Sequence, residues 1–334
     1  MVKTNDGDVQ FHLAKGYYLT RVLGKEFMMI LRDKYAEPLV VLEIYQDKIS
    51  SVRPYRAAEA DKNYLSVLQK FVKEYQYSLT QEAAAALSLS VVIRDGKEEY
   101  FSPSEMTTKR LNTFFQNYDT LSISFNHIQK RRLVIPQTLK PCRLNFSRIL
   151  TDKIIISPNS KAELDFSDNL WTDTLIIGEG FNGRLTFSRS NLLHIKLGDN
   201  CRCDIACVRS GKCFDLSVGD VYSGSLELHD SCFHRLTTGY YCYAVMQLTE
   251  NWGKKEVYIG KSFRGSLTID ASQIQHLDID SDCRGRIAVR ERHKREKIFN
   301  CPNPIILDNE ELSATPFYGP LLKKAKHFWY RHFL

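Results

Sequence analysis

Between residues 121 and 300, apolar and polar positions alternate in short bursts that recur every 20 or 21 residues. A small residue opens each burst: Cys142, Ala162, Gly183, Cys203, Gly224, Ala244, Gly265 and Gly285. Two positions later stand Leu144, Leu164, Leu185, Ile205, Leu226, Met246, Leu267 and Ile287. Two further on come Phe146, Phe166, Phe187, Cys207, Leu228, Leu248, Ile269 and Val289. Apolar side chains at i, i+2 and i+4 mark a short strand with one buried face. A second strand follows in each period, through Ile154/Ile156, Leu175/Ile177, Ile195/Leu197, Leu216/Val218, Val257/Ile259 and Leu277/Ile279, with a weaker version at Leu236/Thr238. Sliding the chain by 82 residues lays Ile177–Cys201 on Ile259–Cys283 with nine identities in twenty-five positions. Self-similarity at a fixed short period is the signature of stacked repeats. The pattern predicts a β-solenoid over residues 121–300.

The position two residues before each opener reads Phe181, Cys201, Tyr222, Cys242, Phe263 and Cys283. Large and small alternate there in phase with the 20/21 alternation, so the repeating unit is a 41-residue pair of coils. Alternating bulk lets stacked layers interdigitate at interior density. Gly178, Gly198, Gly219, Gly239 and Gly260 punctuate one turn, where a positive φ is expected of them. Asn169, Ser190, Ser210, Ser231, Asn251 and Ser272 share the other turn, as turn-forming hydrogen-bonders. The spacing fits a parallel β-helix or a leucine-rich-like solenoid, since Leu192-x-x-Ile195-x-Leu197-x-x-Asn200 follows the latter's repeat. Two strands per coil is the favoured reading, because so short a period leaves no room for a helix.

Residues 1–120 carry different signals and predict a small α+β domain. Phe27–Leu31, Leu39–Tyr45 and Ile49–Arg53 read as a three-stranded meander. Asp61 is placed to cap a helix whose apolar face is Leu65, Leu68, Phe71, Val72 and Tyr75. A second helix is expected through Ala83–Leu87, then a hairpin turning at Asp95-Gly96. A third helix is expected to start at Ser102-Pro103 and end near Phe115. Residues 301–334 are expected to form a C-terminal cap with a basic amphipathic helix.

Within the first region, LRDKYAEPLVVLEIYQDKISSV at 31–52 resembles the core of the PcfJ-like family of conjugative plasmids and phages. The matching positions are Leu31, Arg32, Asp33, Pro38, Leu42, Glu43 and Ile49. The family's glycine- and asparagine-rich basic segment is replaced here by Arg53-Pro54-Tyr55-Arg56. The resemblance implies a bacterial or mobile-element origin and no known chemistry.

Composition changes this picture little. The chain is 43% hydrophobic and 25% charged, which is ordinary for a globular protein. The opening MVKTNDGDVQ has no apolar run, so no secretory signal is expected, and no apolar stretch is long enough for a transmembrane helix. Nine cysteines, an odd number without an export signal, are expected to be reduced thiols in a cytoplasm. A net charge of +7 permits a polyanionic partner without requiring one.

Candidate chemistry is sparse. Cys201, Cys203, Cys207 and Cys213 have the density of a metal site. However, Cys203 and Cys207 lie roughly 13 Å apart along one strand, too far to share an ion. His194 and His276 fall in the same outward slot four coils apart, and His229, Asp230, Cys232 and His234 cluster at one corner without the convergent groups catalysis needs. No cofactor motif occurs, and none is expected to bind. Basic density at Lys130-Arg131-Arg132 and at Arg284, Arg286, Arg290, Arg292, Lys294, Arg295 and Lys297 makes the latter stretch the candidate nucleic-acid contact. Outward Arg143, Glu163, Arg184 and Asp204 alternate in sign and cancel as a field. The tail carries Leu321, Leu322, Lys323, Lys324, Phe328, Trp329 and Phe333 as candidate contacts to a partner or an anionic membrane surface, and capping of the solenoid is the favoured role. The expectation is a non-enzymatic, cytoplasmic scaffold that presents a rigid repeat surface to a protein partner. The alternatives are a nucleic-acid-binding accessory protein of a mobile element and a self-assembling cytoskeletal solenoid resembling bactofilins.

Overall fold

In the computed structural model each period contributes one strand to each of two parallel sheets, whose inward faces share one core. The structure describes residues 2–3, 9–21, 28–55, 63–167, 171–209, 214–252, 255–270, 272, 274–290, 298–300 and 305–306. The parallel run of the first sheet extends from Leu121–Asn126 through Arg286–Arg290 to Ile305–Ile306, and the second sheet from Arg132–Ile135 to Ile298–Asn300. The chain is a β-solenoid with two strands per coil.

Registers follow the sequence columns. Cys142 pairs with Ala162, Ala162 with Gly183, and Gly183 with Cys203. In the second sheet Ile154 pairs with Leu175, Leu175 with Ile195, Ile195 with Leu216, and Leu216 with Leu236. Identical columns then stack like with like. Phe125, Phe146, Phe166 and Phe187 form a continuous pile with ring centroids 4.9, 4.6 and 5.1 Å apart. Phe181, Cys201, Tyr222, Cys242 and Phe263 are all fully buried, so the large–small alternation is an interior feature. At the polar turn, Asn251 Oδ1 accepts from the Ser231 N–H at 3.1 Å, and Asn251 Nδ2 donates to the Leu228 carbonyl at 2.8 Å. That turn is a buried ladder that satisfies its own polar groups. Asn169 and Ser210 of the same column lie outside the described residues.

The turn glycines have a different reason from the expected one. The positive φ falls two positions after them, at Gly180, Asn200, Val221, Tyr241 and Ser262 (67°, 58°, 56°, 56° and 57°). The glycines are needed because coils approach too closely. A Cβ on Gly219 would stand 2.6 Å from the Gly198 carbonyl carbon, and one on Gly198 would stand 2.6 Å from the Glu179 nitrogen. Both obstacles are backbone, which cannot swing aside. Gly219→Ala is expected to destabilise by about 1–3 kcal/mol, as overpacking does. A melting temperature equal to wild type would contradict this stacking geometry.

Ahead of the solenoid, a seven-stranded sheet and helices α1 (Tyr64–Glu74) and α2 (Gln81–Ala86) enclose a second core around Leu19, Leu31, Val40, Leu42, Leu68 and Phe71. The meander is present as antiparallel Met28–Arg32, Pro38–Tyr45 and Lys48–Pro54. Asp61 lies outside the described residues, and Asn63 at the start of α1 makes no side-chain cap. The hairpin Ser90–Arg94/Lys97–Phe101 turns at Asp95 and Gly96, both with positive φ, as a type I′ turn requires. This hairpin joins the solenoid: Ser90–Arg94 pairs antiparallel with Leu121–Asn126 and covers the first sheet's edge. Accordingly, the two cores divide between Val91 and Val92. The third helix starts later than Ser102-Pro103 suggests. Glu105 accepts from the Ser102 N–H and hydroxyl, which closes a separate turn. Thr107 Oγ1 then accepts from Arg110 N at 3.2 Å and caps α3 (Thr108–Phe114). Met106, Leu111 and Phe114 join the solenoid core. At the far end the expected capping helix, with Leu321, Leu322, Lys323, Lys324, Phe328, Trp329 and Phe333, lies outside the described residues.

Candidate interaction surface

One solenoid corner breaks the rule that governs its neighbours. The residue after the turn glycine is Glu179, Asp199 or Asp220 in three successive coils, then Tyr240, then Lys261. The acids have a structural task. Asp199 Oδ1 accepts from Asp220 N at 2.8 Å, and Asp220 Oδ1 accepts from Tyr240 N at 2.7 Å. Asp199 and Asp220 thus each hold the first amide of the next coil's turn, while Glu179 Oε1 accepts from Asn200 Nδ2 at 3.2 Å. Tyr240 ends the series, because a phenol at that position offers no carboxylate to Lys261.

The left-handed position shows the same departure. Asparagine, glycine and serine occupy it in neighbouring coils, but Val221 and Tyr241 occupy it here. A β-branched residue at φ 56° is a conformational outlier that costs on the order of 1–3 kcal/mol. Beside them, Tyr243 replaces the Arg202 and Arg264 of its column, and Val245 pairs with Ser225 and Ser266. The result is a patch on two adjacent coils: Tyr240 (50% exposed), Tyr241 (50%), Tyr243 (45%), Val245 (44%) and Val221 (41%). Single exposed apolar side chains are ordinary, but a contiguous group of five is not. The backbone beneath is held between coils, with Val221 N donating to Tyr240 O and Tyr243 N to Tyr222 O, both at 2.8 Å. It is a rigid aromatic surface.

The basic residues singled out from the sequence are only partly assembled. Arg284 and Arg286 are exposed near this patch, with Arg264 one coil away. Arg290 ends the strand in register with Asp270, and Arg292, Lys294, Arg295 and Lys297 lie outside the described residues. Of the other basic run, Lys130 Nζ donates to the Met106 carbonyl, and Arg131 stands 3.6 Å from Asp152. Arg143 and Glu163 pair at 2.9 Å, which is the expected cancellation between adjacent coils.

On the outer face of the second sheet, Asp215 stands between His194 at 3.4 Å and His234 at 3.2 Å. His276 occupies the expected slot, in register with Glu256, which Arg235 clamps at 2.8 Å. His234 therefore serves a surface charge ladder. Cys232, its neighbour in the corner cluster, is buried and disulfide-bonded, contrary to the expectation that every thiol is free. Cys201, Cys203 and Cys207 are buried in three separate interior columns: Cys201 and Cys207 take places that other coils fill with aromatic or aliphatic side chains, and Cys203 a place that neighbouring coils give to glycine or alanine. Burial pushes the Cys203 thiol up, and Cys142 up to about 12, so neither is a ready nucleophile. With one disulfide, the nine cysteines should yield seven titratable thiols in denatured, unreduced protein and nine after reduction. Nine without reduction would contradict the bond at Cys232.

No family model, curated protein or solved structure matches the chain. The tyrosine corner escapes an analysis aimed at the repeat, because columns are found by what coils share. Its signal was nonetheless in the sequence. Tyr240-Tyr241-Cys242-Tyr243 is the one described coil with three aromatic residues at outward turn positions otherwise held by polar or small side chains.

Proposed function

We propose that the chain is a non-enzymatic scaffold whose solenoid presents the tyrosine corner to a protein partner. The observation that carries this reading is the replacement of turn-stabilising residues by Val221, Tyr240 and Tyr241 on a backbone that is otherwise regular. Tyrosine supplies large, stiff contact area and is enriched among residues that dominate binding energy. A pre-formed corner also binds with little ordering cost. Cys201, Cys203 and Cys207 are buried, and His194 and His234 share Asp215 on the outer face, so these groups belong to the core and the surface ladder of the solenoid.

The test separates stability from binding. Tyr240→Ser/Tyr241→Ser/Tyr243→Ser protein is expected to melt within about 2 °C of wild type, because surface changes of this kind are worth little. It should also lose the partners that co-purify with the intact chain. Val221→Asn should raise the melting temperature by relieving the left-handed valine. Unchanged partner binding in the triple variant would sink the proposal.

A second reading is favoured by Arg264 one coil beyond Tyr243 and by Arg284 and Arg286 two coils beyond it: single-stranded nucleic acid stacking on the aromatic ring and paired through phosphate. It requires retention that falls steeply with salt and is lost in Arg284→Ser/Arg286→Ser protein. Against it stand Asp199 and Asp220 on the other side of the same patch.

A further inference from the structure

We propose that the occupant of the tyrosine corner is a second copy of this chain, docked antiparallel about a twofold axis through the coil that carries Tyr240–Tyr243. This rests on the reading of the corner as an interaction surface and names its partner. The charges around the patch are antisymmetric along the solenoid axis. Toward the N-terminal end the flank is acidic, with Glu179, Asp199 and Asp220; toward the C-terminal end it is basic, with Lys261, Arg264, Arg284 and Arg286. Asp204 adds to the first flank; Arg184 and Arg202 on that flank, and Asp280 and Asp282 on the second, oppose the trend but are outnumbered on each side. Asp282 accepts from Ser262 N at 2.7 Å, as Asp220 does from Tyr240 N, so this turn bond is common to acids of both flanks and does not set them apart.

A partner of uniform sign meets repulsion on one side of such a patch. A partner with the same antisymmetry, turned end for end, meets attraction on both. A twofold axis perpendicular to the solenoid maps the coil before the tyrosines onto the coil after them. Asp220 of one copy then faces Lys261 of the other, and the reverse contact forms at the same time. The tyrosines and valines of both copies meet at the centre, where water is excluded. This is an isologous contact, in which one surface complements itself. Parallel docking would set acid on acid and base on base, so the charge pattern also selects the orientation. Few residues take part on each side, so the association is weak, roughly micromolar, and sensitive to salt.

Sedimentation velocity of the full chain over a concentration series tests this. Wild type is expected to dimerise reversibly, less so at high salt. Tyr240→Ser/Tyr241→Ser/Tyr243→Ser and Lys261→Glu/Arg264→Glu proteins should stay monomeric, and the latter alters only exposed side chains. Asp220→Asn, which keeps an oxygen for the Tyr240 N–H while removing the charge, should weaken the dimer at low salt, and a dimer as strong as wild type there would contradict the Asp220–Lys261 contact. Thermal melting of each variant distinguishes a lost contact from a lost fold. A dimer that persists in the tyrosine variant uses another face and overturns the inference. Wild type that is monomeric throughout also overturns it. If the tyrosine variant then loses a different protein partner, the scaffold reading survives, and if it loses nothing, both fall. A full chain that is monomeric but dimerises once truncated after Pro320 would mean that the tail holds the corner, which equally overturns self-association.

Discussion

Deleting Gly183–Ser223, a complete pair of coils, should give a shortened solenoid that still folds, whereas deleting Gly183–Arg202 alone should melt well below it. The pair deletion joins Asn182 to Gly224, so Phe181 acquires Cys242 as its next neighbour in the column. Large still meets small. The single deletion sets Phe181 against Tyr222, two fully buried rings in a slot that fits one. Overpacking of this kind costs about 1–3 kcal/mol even for small excess volume, and an added aromatic ring exceeds that range. The longer deletion is thus expected to be the milder one, by several degrees in melting temperature. Because each coil contacts only its neighbours, removing a matched pair subtracts repeat interfaces without disturbing the rest. Deletions that melt alike would show that the 41-residue pairing has no energetic meaning.

The second large effect concerns Lys255, whose side chain has no exposed surface. It occupies the interior column of Phe214, Phe233 and Ile274, and its Nζ has no hydrogen-bond partner among the described residues. The Phe233 ring centroid at 5.3 Å is its nearest favourable contact in charged form. Burial pushes the amine down to about 7 from its ordinary 10.5. The unfolded chain therefore holds a proton that the folded chain releases between these values. Stability contributed by this group rises as pH increases from about 7 to 10.5 and is flat below 7. Lys255→Met removes the penalty while keeping the volume, and at pH 7 should stabilise by about 2–4 kcal/mol. The gain should shrink steadily toward pH 10. The buried thiols and tyrosines titrate in both proteins, so the wild type–variant difference isolates Lys255. A gain independent of pH would mean that packing, not the charge, is the cause, and a loss would mean that the amine has a partner.

How far the fold was legible follows from these two cases. Every column of the solenoid could be read because stacked coils impose the same environment on the same position, and repetition amplifies a weak pattern. Repetition also set the limits. Carrying the two-residue alternation back from Val257 places Lys255 inside, but a charged residue in a single coil reads as surface. The turn glycines were recognised with the wrong cause, since a sequence shows spacing but not how closely two backbones approach. The hairpin at Asp95-Gly96 was plain from its turn chemistry. That it covers the solenoid's edge was not, because the antiparallel pairing of Ser90–Arg94 with Leu121–Asn126 leaves no mark on either segment. The tyrosine corner was missed for the opposite reason: it lies where the repeat fails, and the residues there are chosen for something other than the turn.

The central claim, that this corner is where the molecule meets its partner, is tested most directly by site-specific photo-crosslinking in the full chain. A photoreactive phenylalanine replaces Tyr241 in one protein and Leu193, an exposed residue on the second sheet, in another. Irradiation in the native extract should yield protein adducts, to another copy or to a different partner, from position 241 and not from 193. Equal yields from both positions, or none from 241, would contradict the account.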